Sequence, residues 1–398
     1  MIKLNPLYFP SSKSLVVFGR NKLNGTDGIM PLLLELAIKE KKQLLFFVAN
    51  YPYAYKAIMD NVVFRDILFK YGSLNLLGGL NSIRLLKYII WIVQLFFIFL
   101  HGIAGGKIIH YGEMNNFPFM LLRIAYRKKV FLIENNTNET FYSEAHLEIT
   151  RIITGRVRNK KSRNYLFNSA CKDDRIIYRK STMLKYEQGS KYKFYFYGRS
   201  RSRPIWLNYL FNNREEYFNK YHPNIGDKKF IVIIGTAYDL FYNQIPEVFF
   251  KMLDVFEKDF SDQYFLYKPH PLINNERIVS EYRKRNLNFE VTYLHPNLLA
   301  MQAIAFVGNN FSNMMTDSSL LNIPTIEFAN YIDELLEITG GSSISASNKF
   351  VDYFIMKDQN LFRDALKKVV ENSGNLVFEP KKAEVDESSA RDVLNLLA

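Results

Sequence analysis

The clearest chemical signal in the sequence is the segment YKPHP at residues 267–271, which directly follows an apolar run. Lys268 and His270 stand two positions apart, so on an extended chain their side chains point to the same side. A lysine ammonium and an imidazole N–H both donate to phosphate oxygens. The prolines that flank His270, the second being Pro271, restrict the direction of its imidazole. The segment predicts a phosphate-binding loop, with a structural histidine at a capped strand end as the alternative.

A second polar cluster follows one strand and one helix further along the chain. The apolar run AIAFVG at 303–308 leads into small polar residues, and we expect Ser318 and Ser319 to open an apolar helix. Helix N-termini offer unpaired N–H groups and the positive end of the dipole, both of which suit a phosphate. The alternative is that Asp317 or Ser318 only caps the helix and no ligand binds there.

Gly235 and Thr236 follow another apolar run, FIVII at 230–234. Glycine lets a backbone approach a ligand closely because it carries no side chain. In a parallel sheet the carboxyl ends of the strands lie at one edge, where ligands bind. The sequence therefore predicts that Gly235 and Thr236 join His270 and the serine pair in a nucleotide-binding site.

A candidate general base lies in the first half of the chain. The apolar run VFLI ends in Glu134, and a carboxylate at a strand end facing an interdomain cleft suits this role. Glu139 and Glu144 are nearby competitors for it. The alternative is that Glu134 only forms a turn or caps a helix.

The segment NGTDG at 24–28 follows the first apolar run and precedes an apolar helix. We expect a loop here in which Asn24, Gly25 and Asp27 bind an acceptor molecule. Asp27 is the second candidate for the general base. The alternative is that the segment only supplies the N-cap of the following helix.

Other chemistries lack their sequence patterns. The histidines show neither an HExxH motif nor closely paired ligands, so we expect no metal site. The chain contains no GxSxG elbow for a nucleophilic serine and no GxxxxGK phosphate loop. Because these patterns are absent, the sequence does not support the common metalloprotease, serine hydrolase or P-loop classes.

Strand-like runs alternate with helical stretches in two blocks, about residues 10–150 and 228–375. Such alternation predicts parallel sheets covered by helices on both faces. We therefore expect an α/β protein of two facing, doubly wound Rossmann-like domains with a deep interdomain cleft. The expected parts are a first domain with a basic and aromatic connecting segment at 1–205, a second domain at 206–375, and a tail helix at 376–398.

Size and charge fit this organisation. The chain has 398 residues, more than one compact core usually holds, and a net charge of +13 at pH 7. The charge favours anionic partners, and without a zinc-finger or RNA-binding motif we expect a membrane surface and no nucleic acid. Its single cysteine, Cys171, excludes an intramolecular disulfide. The apolar tract 88–100 is shorter than the roughly 20 residues of a membrane span, which predicts a core helix. An interfacial helix and, last, a membrane span are the alternatives.

Three motifs in this order resemble those of the bacterial sialyltransferases and the related nonulosonate and Kdo transferases, which have the GT-B fold. LIENNTNETFY at 132–142 stands where that family has an acidic motif. YKPHP matches its His-Pro motif, and TDSSLLNIP at 316–324 resembles its serine-pair motif. FIVIIGTAYD at 230–239 resembles the opening of its nucleotide-binding domain.

The resemblance implies a glycosyltransferase that moves a sialic-type or Kdo sugar acid from its CMP donor to a surface glycan, in capsule or lipopolysaccharide synthesis. It implies no metal and no cofactor, the CMP-activated sugar being a substrate. Glu134 is the implied general base, and the lack of a second nucleophilic carboxylate predicts inversion. The resemblance implies that the domain at 1–205 binds the acceptor and the domain at 206–375 binds the nucleotide sugar. The implied nucleotide-site residues are Lys268, His270, Pro271, Ser318 and Ser319, and Asn297 occupies the place of a ribose-binding glutamate.

Two other functions stay open. Glycerophosphotransferases of teichoic acid synthesis, which use CDP-glycerol, share the Lys/His-Pro and Ser-Ser arrangement. A catalytically inactive glycan- or nucleotide-binding protein is the other, because Asn135 and Asn136 replace the second acid and the glycine of the acidic motif. The basic charge and the apolar tract predict a protein peripheral to the cytoplasmic membrane face, with a lipid-linked glycan as acceptor.

Overall fold

The computed structural model describes residues 11–19, 23–48, 52–80, 83–111, 119–134, 174–177, 194–198, 200–236, 246–271, 275–344, 350–375 and 387–398. These residues form two units. Those up to Trp206, together with 387–398, belong to the first, and those from Leu207 to residue 375 belong to the second. Among the described residues the division falls between Trp206 and Leu207, and residues 387–398 group with the first unit.

The first unit is built on a seven-stranded sheet in which all neighbouring strands are parallel. The strands are β1 (Ser14–Gly19), β2 (Gln43–Val48), β3 (Gly72–Leu76), β4 (Lys107–His110), β5 (Val130–Glu134), β6 (Asp174–Ile177) and β7 (Phe194–Phe196). Their order across the sheet is β3-β2-β1-β4-β5-β6-β7. Every residue of β1 is buried, as expected for a central strand covered on both faces.

Helices connect these strands. They are α1 (Leu23–Lys39), α2 (Pro52–Asp60), α3 (Val62–Tyr71), α4 (Arg84–Ile103) and α5 (Phe119–Ala125), with 3₁₀ turns at Arg127–Lys129 and Ser200–Ser202. The next helix, α6 (Pro204–Asn212), crosses the division between the units.

The segment 24–28 is helical and does not form the predicted loop, because α1 begins at Leu23. Glycine costs a helix interior about 1 kcal/mol relative to alanine, but packing outweighs this local preference. Ile29 is fully buried, and Asp27 forms an ion pair with Arg201 at 2.6 Å. The segment is therefore the first part of a core helix.

The second unit contains a six-stranded sheet, again wholly parallel. The strands are β8 (Phe230–Ile234), β9 (Tyr264–Lys268), β10 (Asn288–Val291), β11 (Ala303–Gly308), β12 (Thr325–Ala329) and β13 (Tyr353–Met356). Their order is β10-β9-β8-β11-β12-β13. The order reverses between β8 and β11, and in open α/β sheets ligands bind outside the carboxyl ends of the strands at such a point.

The helices of this unit are α7 (Arg214–Tyr221), α8 (Glu247–Asp259), α9 (Glu276–Arg283), α10 (Pro296–Ala300), α11 (Asn313–Leu320), α12 (Asp333–Thr339) and α13 (Gln359–Glu371), followed by a 3₁₀ turn at Asn372–Asn375. Aromatic residues join α8 and α13 to the sheet. Phe256 packs on Phe265 of β9 and Phe362 packs on Phe328 of β12, each with ring centroids 4.6 Å apart. This core fixes the strands whose carboxyl ends carry the predicted site.

The C-terminal helix, α14 (Glu387–Leu397), completes the first unit. Its buried stripe consists of Ala390, Val393, Leu394 and Leu397. This spacing is that of one face of an amphipathic helix. The predicted tail helix is thus part of the first unit's core.

A buried ionic network ties α14 to α1. Glu35 of α1 accepts from the Tyr197 hydroxyl at 2.6 Å and from Arg203 Nε at 2.8 Å, and Arg203 Nη2 lies 3.3 Å from Glu387. Burial by itself raises the pKa of Glu35, but hydrogen bonds from Arg203, Lys39 and Tyr197 bring that pKa below its usual range. The carboxylate is therefore held charged inside the first unit.

The apolar tract 88–100 belongs to α4 and is not the predicted core helix. Its outward side is exposed, and only Ile98, His101 and Gly102 are buried. By length and composition α4 is the one described helix able to cross a membrane. Its most apolar stretch of 18 residues has a mean hydropathy of 1.8, and only 17% of that stretch is buried inside the protein. Apolar side chains of this helix face solvent on the surface of the first unit.

Candidate functional site

The carboxyl ends of β9, β8 and β11 bring three predicted segments to one edge of the second sheet. In the strand register Lys268 stands beside Ile234, and Ile234 stands beside Gly308. The segments that follow these three positions therefore leave the sheet side by side. This edge contains the YKPHP loop, the Gly-Thr pair and the polar residues after β11.

Gly235 packs directly on the backbone of the YKPHP loop. Its N–H donates to the Lys268 carbonyl at 2.8 Å, and a Cβ atom on Gly235 would lie 2.6 Å from the His270 nitrogen. We predicted that a ligand approaches this glycine, whereas in the structure it is protein backbone that does so. Thr236 follows and is buried.

His270 is half-buried at this edge. Burial lowers the pKa of its imidazole to about 4, so at pH 7 the ring is neutral and donates a single N–H. Lys268 ends β9 and is 9% exposed, whereas Pro271 is exposed. Within YKPHP the positive charge for an anion must therefore come from Lys268.

Asn275, which the sequence analysis missed, fixes the path of this loop. Its Nδ2 donates to the His270 carbonyl at 3.0 Å, and its Oδ1 accepts from the Tyr267 hydroxyl at 2.8 Å. The two bonds join the end of β9 to the residue before α9. A short polar residue before a helix is a recognisable N-cap signal, but its bond to His270 depends on tertiary structure.

The serine pair lies at the end of a helix and not at its start, so this prediction is wrong. α11 begins at Asn313 after the N-cap Ser312, and Ser318 and Ser319 are buried in its last turn. The Ser318 hydroxyl donates to the Ile323 carbonyl at 3.1 Å. Ser318 therefore stabilises the turn into β12, and the N-terminus of α11 is the other end of the helix.

The start of α11 follows the polar loop 309–312 at the sheet edge. The Ser312 hydroxyl accepts from the Met314 N–H at 3.3 Å. The Asn309 side-chain amide donates to the Phe328 carbonyl at 3.0 Å, which attaches the loop to β12. The positive end of the α11 dipole therefore lies at Asn313 and not at Ser318, where the sequence predicted the start of the helix.

Glu327 of β12 supports this loop from within the sheet. It stands beside Gly308 in the register and is fully buried. Its carboxyl accepts from the hydroxyls of Tyr331 and Ser343 and from the N–H of Phe311. Burial raises its pKa to about 7. A carboxyl with a shifted pKa is a typical feature of functional sites, and here the bond from the Phe311 N–H holds the residue just before the N-cap of α11.

Asn297 is buried in the first turn of α10, where its N–H donates to His295 Nδ1 at 3.1 Å. Only 2% of the surface of Asn297 is exposed. A ribose would therefore reach Asn297 only after a local rearrangement. The ribose contact that the resemblance implied stays a prediction.

Glu134 is the last residue of β5, and its backbone pairs with Ile177 of β6. It thus occupies a strand end, as the sequence indicated, and its role as general base stays a prediction. The neighbouring residues Asn135, Asn136, Glu139 and Glu144 lie outside the described residues.

The predicted acceptor residues belong to α1. Asn24 and Gly25 lie in its first turn, and the Asp27 carboxylate contacts Arg201 Nη1 at 2.6 Å. The Asp27 carboxylate is thus already paired with a cation of the first unit. Its role as the second candidate for the general base stays a prediction.

Metal ligands do not cluster in the part of the chain that the structure describes. A histidine–carboxylate pair is present there, with His222 Nδ1 2.8 Å from Glu290 Oε2. His222 Nε2 lies 2.9 Å from the Thr292 hydroxyl. Both ring nitrogens are thus used within the protein, and His222 is a structural histidine.

The sequence matches no known family model and no curated protein. Solved structures do share its fold. The UDP-GlcNAc 2-epimerase from Neisseria meningitidis bound to UDP-GlcNAc matches with a TM-score of 0.54 at 12% identity, over 96% of this chain and 99% of that one. The UDP-GlcNAc 2-epimerase from Methanocaldococcus jannaschii gives 0.52 at 14% identity, over 96% and 98%. UGT89C1 of Arabidopsis thaliana complexed with UDP gives 0.51 at 8% identity, over 97% and 100%.

These matches confirm the predicted fold class. The chain has two parallel-sheet, Rossmann-like domains of the GT-B type. Identities between 8% and 14% show the fold and nothing finer. The comparisons return proteins named for UDP compounds and lend no support to a sialyltransferase or Kdo transferase family.

Proposed function

We propose that the chain is a glycosyltransferase that binds a nucleotide-activated sugar at the carboxyl edge of its second sheet. The observation that carries the proposal is the register row of Lys268, Ile234 and Gly308, which places the YKPHP loop beside the loop that leads into α11. A phosphate there would meet an ammonium, an imidazole N–H and a helix N-terminus, which all suit an anion. The GT-B-type fold supports this reading, since solved examples are bound to UDP and to UDP-GlcNAc.

This edge would act by stabilising the leaving nucleotide phosphate. Negative charge grows on the phosphate as its bond to the sugar breaks, and donors already fixed in place lower that barrier. His270 would take part as a neutral donor because of its low pKa, and Lys268 would supply the charge. The proposed step needs no metal ion or cofactor.

Glu134 of the first unit is the proposed general base, and that unit is proposed to bind a surface glycan as acceptor. Glu134 would take the proton of the acceptor hydroxyl, whose oxygen attacks the anomeric carbon. The electron pair of the broken C–O bond leaves with the nucleotide phosphate. A single displacement of this kind inverts the configuration, and a product that retained it would contradict the role of Glu134.

The proposed donor is a CMP-activated sialic-type or Kdo sugar acid, because YKPHP and the later serine pair resemble motifs of those transferases. A UDP-activated sugar is the second candidate, because solved proteins with this fold are bound to UDP compounds. CDP-glycerol stays as the donor of the glycerophosphotransferase alternative.

A donor panel tests these candidates. The protein is incubated with CMP-sialic acid, CMP-Kdo, UDP-GlcNAc or CDP-glycerol and a mixture of surface glycans, and released nucleotide is measured by mass spectrometry. CMP release from a sugar-acid donor supports the first proposal, whereas UDP release supports the second. Nucleotide binding without release from any donor would support the non-catalytic alternative.

Matched variants separate binding from catalysis. Lys268→Ala and His270→Ala should each reduce transfer by about 10²-fold, the usual cost of losing a fixed donor at a developing charge. Lys258→Ala, on the exposed side of α8, should leave transfer unchanged. Glu134→Gln should abolish transfer and retain nucleotide binding. Unchanged transfer in Lys268→Ala would overturn the assignment of this edge.

A further inference from the structure

The outward side of α4 is an apolar surface on the first unit. Its exposed side chains include Leu85, Ile89, Ile92, Phe96, Phe99 and Ile103. Ile92 and Phe96, near the middle of the helix, are 59% and 58% exposed. Crossover helices of a doubly wound sheet normally bury their apolar side against the sheet. A large exposed apolar surface of this kind marks contact with a protein or a membrane.

Helix α5 extends the same surface. Phe119 packs edge-on against Trp91 of α4 with ring centroids 6.3 Å apart, and the Tyr126 hydroxyl donates to the Phe99 carbonyl at 3.1 Å. With α5 held in this way, Leu121 and Ile124 are exposed. We call the exposed apolar sides of the two helices the α4–α5 face.

The charged residues of α4, of α5 and of the turn after α5 are all basic. Residues 83–111 contain three lysines or arginines, 119–133 contain four, and neither stretch contains an aspartate or glutamate. Arg84, Lys87 and Lys128 are exposed. A second copy of the chain would bring equal charges together across a symmetric interface, which is unfavourable. An anionic lipid surface attracts the same charges by about 1 kcal/mol per residue.

The contacts of α4 with the sheet exclude a membrane-spanning orientation. α4 joins β3 to β4, and both strands belong to one sheet. A helix of 20 residues would span about 30 Å of hydrocarbon and place those strands on opposite sides of the bilayer. Gln94 of α4 also accepts from the Gly78 N–H at 2.8 Å and donates to the Leu76 carbonyl at 3.2 Å. These bonds fix the helix alongside the sheet.

A close contact near the end of α4 fixes it further. A Cβ atom on Gly102 would lie 2.5 Å from the Tyr126 ring, and Lys129 Nζ donates to the Gly102 carbonyl at 2.9 Å. The helix pair is thus packed on its inner side and exposed only on its outer side. A partner must therefore approach from outside and leave these contacts intact.

We propose that the α4–α5 face binds an anionic membrane leaflet, with α4 lying parallel to the bilayer plane. Its apolar side chains would enter the boundary between headgroups and acyl chains, while the exposed lysines and arginines contact lipid phosphates. The cytoplasmic leaflet, which carries anionic lipids, would be the partner, and a lipid-linked acceptor would then be within reach. The inference does not rest on the donor site, because α4 and α5 contain none of its residues.

Vesicle co-sedimentation of the full chain tests the proposal. The protein should bind vesicles of phosphatidylcholine with phosphatidylglycerol at least about tenfold more tightly than vesicles of phosphatidylcholine alone. The double variant Ile92→Ser/Phe96→Ser should lose about tenfold or more in binding to the anionic vesicles. Leu361→Ser is its matched control, since Leu361 is 57% exposed on α13 of the second unit. Equal binding by wild type and the double variant would overturn the proposal.

A charge series and two further measurements address the other occupants of this face. Arg84→Gln/Lys87→Gln should weaken binding to anionic vesicles about tenfold, and Lys367→Gln on α13 should not. Resistance to alkaline carbonate extraction would indicate a span and overturn the proposal. The oligomeric state is measured by sedimentation equilibrium without lipid. A wild-type dimer that becomes a monomer in Ile92→Ser/Phe96→Ser would also overturn the proposal. Nucleotide binding should be unchanged in all variants, which separates this result from failure of the donor site.

Discussion

Gly235 packs so closely on the backbone of His270 that no side chain would fit between them. A Cβ atom on Gly235 would stand 2.6 Å from the His270 nitrogen and 2.7 Å from the Lys268 oxygen, and real Cβ contacts essentially never fall below 3.0 Å. The end of β8 therefore sets the position of the loop after β9. The direction of the imidazole depends on a residue more than thirty positions earlier in the chain.

Gly235→Ala should displace the YKPHP loop, because the added methyl group meets backbone atoms that cannot rotate away. We expect nucleotide affinity to fall at least about tenfold, equivalent to about 1.4 kcal/mol, when CMP and UDP are titrated calorimetrically. Gly374→Ala is the control, since a Cβ atom there meets nothing within 4 Å. Unchanged affinity in Gly235→Ala would show that the loop does not hold the nucleotide.

His270 should remain neutral in the free protein down to about pH 4, because burial depresses its pKa from 6.5. The unfolded chain takes up this proton first, so His270 makes stability fall as the pH falls from about 6.5 to 4. His270→Asn, which keeps an N–H donor and does not titrate, should remove this contribution in denaturant unfolding across that range. An NMR signal of His270 that titrates near 6.5 would contradict the assignment.

Glu327 should show the opposite pH dependence. Its pKa is raised from 4.5 to about 7, so its stabilising contribution is complete below pH 4.5 and is lost as the pH rises through 7. The loss is about 1.4 kcal/mol per pH unit in that interval. Glu327→Gln should flatten this part of the profile, measured by urea unfolding. Parallel profiles for wild type and variant would contradict the buried, protonated carboxyl.

The two ends of α11 should respond differently to loss of a hydroxyl. Ser312→Ala removes the N-cap beside the proposed phosphate position and should lower nucleotide affinity, with a loss of about 1 kcal/mol in stability. Ser318→Ala removes a bond to the Ile323 carbonyl and should cost about 1 kcal/mol of stability without a change in affinity. Reduced affinity in Ser318→Ala alone would restore the original assignment of the serine pair.

Arg203→Ala should strongly destabilise the first unit, because it leaves the fully buried Glu35 without its main cation. Breaking a buried pair in this way typically costs about 3–5 kcal/mol. Arg363→Ala is the comparison, since Arg363 is exposed and lies 3.6 Å from a neighbouring carboxylate. Its loss should change the unfolding free energy by less than about 1 kcal/mol. Equal unfolding midpoints for the two variants would refute a structural role for the Glu35–Arg203 pair.

The central strands could be predicted from the sequence, because strands buried on both faces read as continuous apolar runs. FIVII became β8 and AIAFVG became β11. Five strands were not predicted, namely β3, β6, β7, β10 and β13. Of these, β3 and β10 are edge strands whose segments GSLNL and NFEV contain polar residues among the apolar ones. An edge strand is partly covered, and its pattern is correspondingly weak.

The donor edge could be predicted in part. The YKPHP loop follows β9 directly, as the apolar run before it predicted. The start of α11 was predicted wrongly, because the segment 312–319 contains two residues that can cap a helix. Ser312 can cap a helix that begins before Met314, and Asp317 can cap one that begins before Leu320 and Leu321. Burial of Met315 in the core favours the earlier start. Hydropathy likewise could not place α4, since a core helix and a lipid-facing helix have the same composition.

The position of α14 has a consequence for synthesis of the chain. Glu387, which contacts Arg203, follows it by 184 residues, and residues 207–375 of the second unit are translated in between. The contacts that α14 makes within the first unit can therefore form only after residues 207–375 have been synthesised. A stop codon before Glu387 would remove α14 from the unit that is made first.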